Sequence, residues 1–163
     1  MTIKPKVYLD TSVISHLMAY DAPEKQNDTL KLWEELKENE YEIIVSPVTY
    51  EELSRCEDDL SDKLVLSLNE LETTYVEESE KTIFLADQYL ATGILTRKSR
   101  DDCRHIAIAS LSNCKYILSW NMKHFVKRKT IEMVHTVNEK LGIFKPMILT
   151  PSIFIQGDDE DND

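Results

Sequence analysis

Residues 6–18, Lys6-Val-Tyr-Leu-Asp10-Thr-Ser-Val-Ile-Ser-His-Leu-Met18, change their periodicity halfway. Lys6 to Asp10 is a short run of β-formers that ends on an acid, which reads as a strand. Thr11 to Met18 places apolar side chains at 13, 14, 17 and 18, the spacing of a helix. The same alternation continues along the chain. Pro23 opens a helix closing near Asn39, with Leu30, Trp33 and Leu36, and Leu32 beside them, on its inner side. Tyr41 to Ser46 is a second strand, and Pro47 starts a helix where its missing N–H costs nothing. Leucines at 60, 64, 68 and 71 form a one-face stripe, and Thr73 to Val76 is a short strand. Glu78 to Ala91 is a helix with apolar positions 83, 84, 86 and 90, stopped near Gly93. Ser99 caps a helix whose first turn holds Asp101 and Asp102, where the helix dipole favours acids. Lys115 to Ser119 is a strand, Lys129 to Leu141 a helix, and Met147 to Thr150 a last strand. Strands alternating with helices predict an α/β fold of three layers, α/β/α, around a central parallel sheet of about five strands.

At 163 residues one domain is expected, placed at 1–156, with an acidic, solvated tail at 157–163. Apolar residues at 42% and charged residues at 30% exclude a disordered composition, and only three glycines and five prolines argue against a β-sandwich. No apolar run approaches the roughly 18 residues of a membrane span, and the first residues show no signal-peptide core. Cys56, Cys103 and Cys114 have no metal-binding or redox spacing, so free thiols in a reducing, cytoplasmic setting are expected. Net charge is −11; the last seven residues carry five acids and no base, which leaves −6 for the body. An acidic body argues against purely electrostatic binding of nucleic acid, but not against an enzyme that meets it through a metal and a local basic rim.

Ligands in open parallel sheets bind at the carboxyl ends of the strands, near a topological switch point. Four segments bring acids or an amide there. Asp10 ends the first strand, Glu51 and Glu52 follow the second, Asp101 and Asp102 open a later helix, and Asn121 follows the strand after it. Carboxylates held together repel, and a hard divalent cation such as Mg²⁺ or Mn²⁺ relieves that repulsion. Such ions activate water and neutralise a phosphodiester. Thr11 and Ser12 either cap the following helix or orient Asp10. His105, one turn after Asp102, is read first as a hydrogen-bonded structural histidine and second as a residue in reach of the metal. No His or Cys spacing fits zinc. Arg97, Lys98, Arg100 and Arg104, and then Lys123, Lys127, Arg128 and Lys129, are solvated helix ends or a rim that grips phosphates.

Val7-Tyr-Leu-Asp10-Thr-Ser-Val-Ile-Ser, Val45-Ser-Pro-Val-Thr-Tyr-Glu-Glu52-Leu, Asp102-Cys-Arg-His-Ile-Ala and Ile117-Leu-Ser-Trp-Asn121-Met-Lys-His-Phe, in this order, resemble the PIN-domain family, and more narrowly its VapC-type toxins. The likeness runs from about residue 6 to Pro151. It implies a five-stranded parallel sheet, Mg²⁺- or Mn²⁺-dependent cleavage of RNA, a partner antitoxin and, in many relatives, a homodimer. Asp10 and Asp102 match the principal metal ligands, and Glu52, which precedes a leucine, is a better match than Glu51. Asn121 stands where many members carry an acid, so it supplies no charge and a second tightly held ion is in doubt. Thr11, Ser12 and Asn121 become helpers to the catalytic acids Asp10, Glu52 and Asp102.

Two other readings compete. A phosphotransferase with an Asp-x-Asp nucleophile motif has Asp10 but finds Ser12 where its second acid belongs, and no Gly-rich phosphate loop is present. A catalytically weakened PIN-like scaffold that binds a protein partner or RNA is favoured by the Asn121 amide and opposed by the three acids that remain.

Overall fold

Period-two alternation decides which way each strand faces. Val7 and Leu9 of the first strand pack on one side of the sheet and Tyr8 on the other. The computed structural model describes residues 3–160, with side chains described for 3–157. Its strands are β1 (Lys6–Leu9), β2 (Glu42–Val45), β3 (Thr73–Tyr75), β4 (Tyr116–Leu118) and β5 (Met147–Leu149), all parallel, in the order β3-β2-β1-β4-β5. The register aligns Tyr8 with Ile44 on one side and Ile117 on the other, and Ile117 with Ile148. These four form one row that shares a core with the helices above it.

The helices are α1 (Thr11–Ser15), continued by a 3-10 turn at His16–Met18, then α2 (Pro23–Lys37), α3 (Pro47–Leu53), α4 (Asp58–Leu68), α5 (Glu80–Ala91), α6 (Arg100–Leu111), α7 (Arg128–Lys140) and α8 (Pro151–Glu160). Leu85, Ala86 and Tyr89 of α5, Ile106, Ala107 and Ala109 of α6, and Met133 and Val134 of α7 close over the Tyr8 row. Leu32, Trp33 and Leu36 of α2, Leu64 and Leu68 of α4, and Phe154 of α8 cover the Val7–Leu9 face. The architecture is the expected three-layer α/β/α. Among the described residues no helix is long and apolar enough to cross a membrane, and all three cysteines are free.

Element edges follow local chemistry. Asn39 and Gly93 adopt positive φ, 62° and 76°, just past α2 and α5, the conformation that ends a helix and that Asn and Gly tolerate best. Ser79 and Thr82 form a reciprocal capping box that starts α5 two residues later than the expected Glu78.

Four expectations need correction. Leu30 and Leu60 are exposed, because the buried faces run through Thr29, Leu32, Trp33 and Leu36 in α2 and through Leu64 and Leu68 in α4. In α5 the inward residues are Thr82, Leu85, Ala86 and Tyr89, which leaves Ile83 and Phe84 in solvent; the helix is phased by Leu85 and Tyr89 rather than by its most apolar pair. Ser99 is buried but makes no capping bond, since a 3-10 turn at Arg97–Ser99 feeds straight into α6. Finally α8 follows β5 directly, with Pro151 in its first turn and Thr150 Oγ1 accepting from the Ile153 N–H at 3.3 Å. It runs on through Gly157–Glu160, the first four residues of the expected tail, while residues 161–163 lie outside the described residues.

The phase of α5 is open to measurement. Leu85→Ala is expected to lower stability by about 2–5 kcal/mol in urea unfolding, whereas Phe84→Ala stays within about 0.5 kcal/mol of the parent. Equal losses would mean that the helix presents its other face.

Candidate metal centre

β1 lies at the switch point: from it the chain builds outward to β2 and β3 on one side and to β4 and β5 on the other. The crevice at the carboxyl ends of β1 and β4 is where such sheets place a ligand site. Asp10 comes directly after β1, anchored by its own N–H donating to Leu118 O of β4 at 3.0 Å. It stands at the N-cap of α1 in extended conformation, yet its side chain makes no capping bond. That carboxylate is turned inward and buried. Its Oδ2 accepts from Ser12 Oγ at 2.6 Å and from Ser119 Oγ at 2.8 Å. Each hydroxyl is itself aimed by a backbone donor, Ser12 by Trp120 N and Ser119 by Asn121 N, both at 3.0 Å. Ser12 therefore orients Asp10 and is not a helix cap.

Glu52 reaches the same crevice from α3. Its Oε1 accepts from Thr11 Oγ1 at 3.0 Å and from His105 Nε2. Burial pushes the Glu52 carboxyl up, but the hydrogen bond and positive charge of His105, with the Thr11 hydroxyl, outweigh it and hold the group below its ordinary range. His105, fully buried, shows the mirror image: burial disfavours its charged form, and the Glu52 bond with the charges of Asp10, Glu52 and Asp102 raises its pKa nonetheless. Its Nε2 also lies 3.4 Å from Asp10 Oδ1, and its Nδ1 meets the Tyr8 hydroxyl.

Asp102 lies on α6, one turn before His105. Burial, then the negative charge of Asp10, pushes its carboxyl up to about 7, with Glu52 and Asp101 adding to the shift and His105 opposing it. Among the described residues it makes no hydrogen bond and no ion pair. A half-buried carboxylate without a partner, beside a second carboxylate, is the kind of group that a divalent cation satisfies. The donor set is mainly carboxylate oxygen, which fits Mg²⁺ or Mn²⁺. Asp10, Glu52 and His105 by themselves present ligand atoms within 4.8 Å of one another, so the cluster can hold a metal ion.

The neighbouring acids are spent elsewhere. Arg104 binds Glu78 through two nitrogens, Glu51 at 3.0 Å and Asp101 at 2.9 Å, and Arg55 binds Asp101 at 3.0 Å. Glu51 and Asp101 are thereby separated from Glu52 and Asp102. Asn121 follows β4 as expected, but its Oδ1 accepts from Lys123 N at 3.2 Å and His124 N at 3.1 Å, closing a turn. The basic rim is thinner than its residue count suggests, since Arg104 is neutralised, Arg100 pairs with Asp87 and Arg128 with Glu132.

Tyr8, Ser119 and the Glu52 partnership of His105 escape the sequence reading of the site, and Thr11, read there as a cap or a support of Asp10, donates to Glu52 instead. Two were within reach of it: Tyr8 and Asp10 stand two apart at a strand end, and Asp102 and His105 three apart on a helix, so each pair shares a face.

No family model and no curated protein sequence matches this chain. Among solved structures, a chain of VapBC2 from Rickettsia felis, crystallised bound to a DNA fragment from its promoter, is similar over 89% of this chain and 98% of that one, with a TM-score of 0.54 and 17% identity. The likeness is one of fold.

The Asp102 shift carries a sign for stability. Its folded pKa of about 7 lies above the ordinary 3.8, so the folded state binds more protons than the unfolded one and loses stability as pH rises from about 4 to above 7. Asp102→Asn is therefore expected to stabilise the protein in EDTA at pH 8 by on the order of 1–2 kcal/mol, with little change at pH 4. Urea unfolding at the two pH values checks this, and a destabilised variant at pH 8 would contradict it.

Proposed function

We propose that the chain is a Mg²⁺- or Mn²⁺-dependent endoribonuclease of the PIN-domain type. The observation that supports this reading is the cluster of Asp10, Glu52 and His105, whose ligand atoms lie within 4.8 Å of one another, beside an Asp102 carboxyl that feels the charges of Asp10 and Glu52 and makes no hydrogen bond or ion pair among the described residues. In this proposal Asp10 and Asp102 are the principal metal ligands, and Glu52 joins them with its second oxygen, Oε2. A bound ion would supply activation of water and neutralisation of the phosphodiester. The chain's own residues do the rest. Ser12 and Ser119 hold Asp10 Oδ2 and so leave Oδ1 for the site. Glu52, kept ionised with Oε1 bonded to Thr11 and His105, would turn only Oε2 toward the ion, and the expected products carry 5′-phosphate and 3′-hydroxyl ends. Lys123, Lys127 and Lys129, beyond Asn121 in the chain, would meet RNA phosphates in this reading. Because VapBC2 pairs two proteins, an antitoxin that covers the site belongs to the same proposal, as does a homodimer and the role of toxin.

Asn121 favours a second reading. Its amide is folded into a turn and adds no charge to the site, as a scaffold with weakened catalysis that binds a protein or RNA would have it. The two readings diverge under one experiment. A pool of structured and single-stranded RNA is incubated with Mn²⁺ and the parent, with Asp10→Asn, and with EDTA. The nuclease reading expects cleavage by the parent alone, reduced at least about 100-fold by Asp10→Asn or EDTA. Cleavage that persists in EDTA contradicts it, and the absence of both cleavage and a Mn²⁺-dependent rise in Tm selects the scaffold.

A further inference from the structure

Both ring nitrogens of His105 are committed. Nδ1 meets the hydroxyl of Tyr8, which in turn bonds Ser46 Oγ at 2.7 Å, and Nε2 meets Glu52 Oε1. Ser46 is the N-cap of α3, the position where a serine ordinarily bonds the backbone of its own helix. Here it makes no such bond and turns to Tyr8 instead. The column Ser46–Tyr8–His105–Glu52 thus joins α3 to β1, β1 to α6, and α6 back to α3. Its polar chain is enclosed: Ser46, Tyr8 and His105 are all fully buried, with the imidazole edge-on to Tyr8 and tilted on Phe125. An ionised carboxylate only accepts, so Nε2 carries a hydrogen toward Glu52 whether His105 is neutral or charged. With Thr11 Oγ1 on the same oxygen at 3.0 Å, Oε1 is saturated.

We propose that His105 is a positioning residue for Glu52: steadied by Tyr8 and Ser46, it occupies Oε1 and leaves Oε2 as the one Glu52 oxygen open to a cation. The inference rests on the metal-dependent reading above. It assigns His105, whose Nε2 is near enough to Asp10 to pass for a ligand, to the support of a ligand. Groups that orient metal-binding carboxylates contribute about ten- to hundredfold in metal affinity, and the effect of such a group disappears once its target can no longer use it.

Mn²⁺ affinity of the full chain, measured by calorimetry and by the electron paramagnetic resonance of the free ion, tests this without reference to activity. The set is the parent, His105→Gln, His105→Leu, Glu52→Gln and the double variant His105→Leu/Glu52→Gln, each checked for folding by circular dichroism. His105→Leu is expected to weaken Mn²⁺ binding about ten- to hundredfold. His105→Gln, whose amide N–H can replace Nε2, stays within about threefold of the parent. In the Glu52→Gln background the leucine substitution costs nothing further. Equal losses for Gln and Leu overturn the proposal, because they make the imidazole itself the ligand, and so does a loss that persists in the Glu52→Gln background. If His105→Leu fails to fold, Tyr8→Phe takes its place in the cycle, with an expected loss of about three- to tenfold that vanishes with Glu52→Gln; an additive loss overturns the proposal there too. A parent that binds no Mn²⁺ overturns the metal reading together with this inference, whereas binding by the parent with either contrary pattern overturns this inference alone.

Discussion

Carboxylates gathered in a crevice repel one another, and the surroundings of the carboxyl end of β1 are arranged around that repulsion. Each acid is answered differently. Asp10 has two hydroxyls on one oxygen. Glu52 has an imidazole and a hydroxyl. Asp102 has neither, and burial, then the negative charge of Asp10, raises its carboxyl to about 7. The sheet order makes the encounter unavoidable, since Asp10 leaves β1 beside the end of β4 and α6 lies across the Tyr8 face. Ala107 and Ala109 on the buried part of α6 let that helix come close to the strands, and its first two turns bring Asp102 and His105 over the strand ends.

Around this centre stands a second set of charges in which every acid is paired with an arginine. Arg104 is surrounded by Glu51, Glu78 and Asp101, and its fork engages Glu78 with two nitrogens. A single exposed ion pair contributes little, but a guanidinium shared by three elements fixes the spacing between α3, the segment before α5, and α6. It also sorts the acids. Glu51 and Glu52 are adjacent in the chain, as are Asp101 and Asp102, and in each pair one member goes to Arg104 or Arg55 and the other to the crevice.

Much of the fold was legible because strand and helix periods differ and the chain alternates between them cleanly. The bounds of β1, β2, β4 and β5 fall within a residue or two of where the β-formers lie. Helix phase was harder. In α5, Ile83 and Phe84 are more apolar than Thr82 and Ala86, yet tertiary packing buries the latter pair and hydropathy alone points the wrong way. α8 was invisible for a related reason: a single large apolar side chain, Phe154, is its buried anchor, too little for a periodic signal, and the acids that follow resemble a tail. At the site, the acids were legible because carboxylates at strand ends are conspicuous. Their partners were not, since Tyr8 looks like any strand aromatic and Ser119 like any serine. Whether a residue such as Asn121 faces a metal or closes its own turn depends on a rotamer, which composition and spacing do not encode.

The pairing of β1 with β4 joins Val7 to Tyr116 and Leu9 to Leu118, a contact between segments far apart in the chain. Such contacts form late, after the entropy of closing a long loop has been overcome. Synthesis proceeds from the N-terminus, so Asp10 and the acids of α3 and α6 leave the ribosome before the strand that completes their crevice. Until then Asp10 has neither the Ser119 hydroxyl nor the Leu118 carbonyl that aligns it. The crevice is therefore completed from the C-terminal side, and its carboxylates have their full set of partners only once β4 has joined β1.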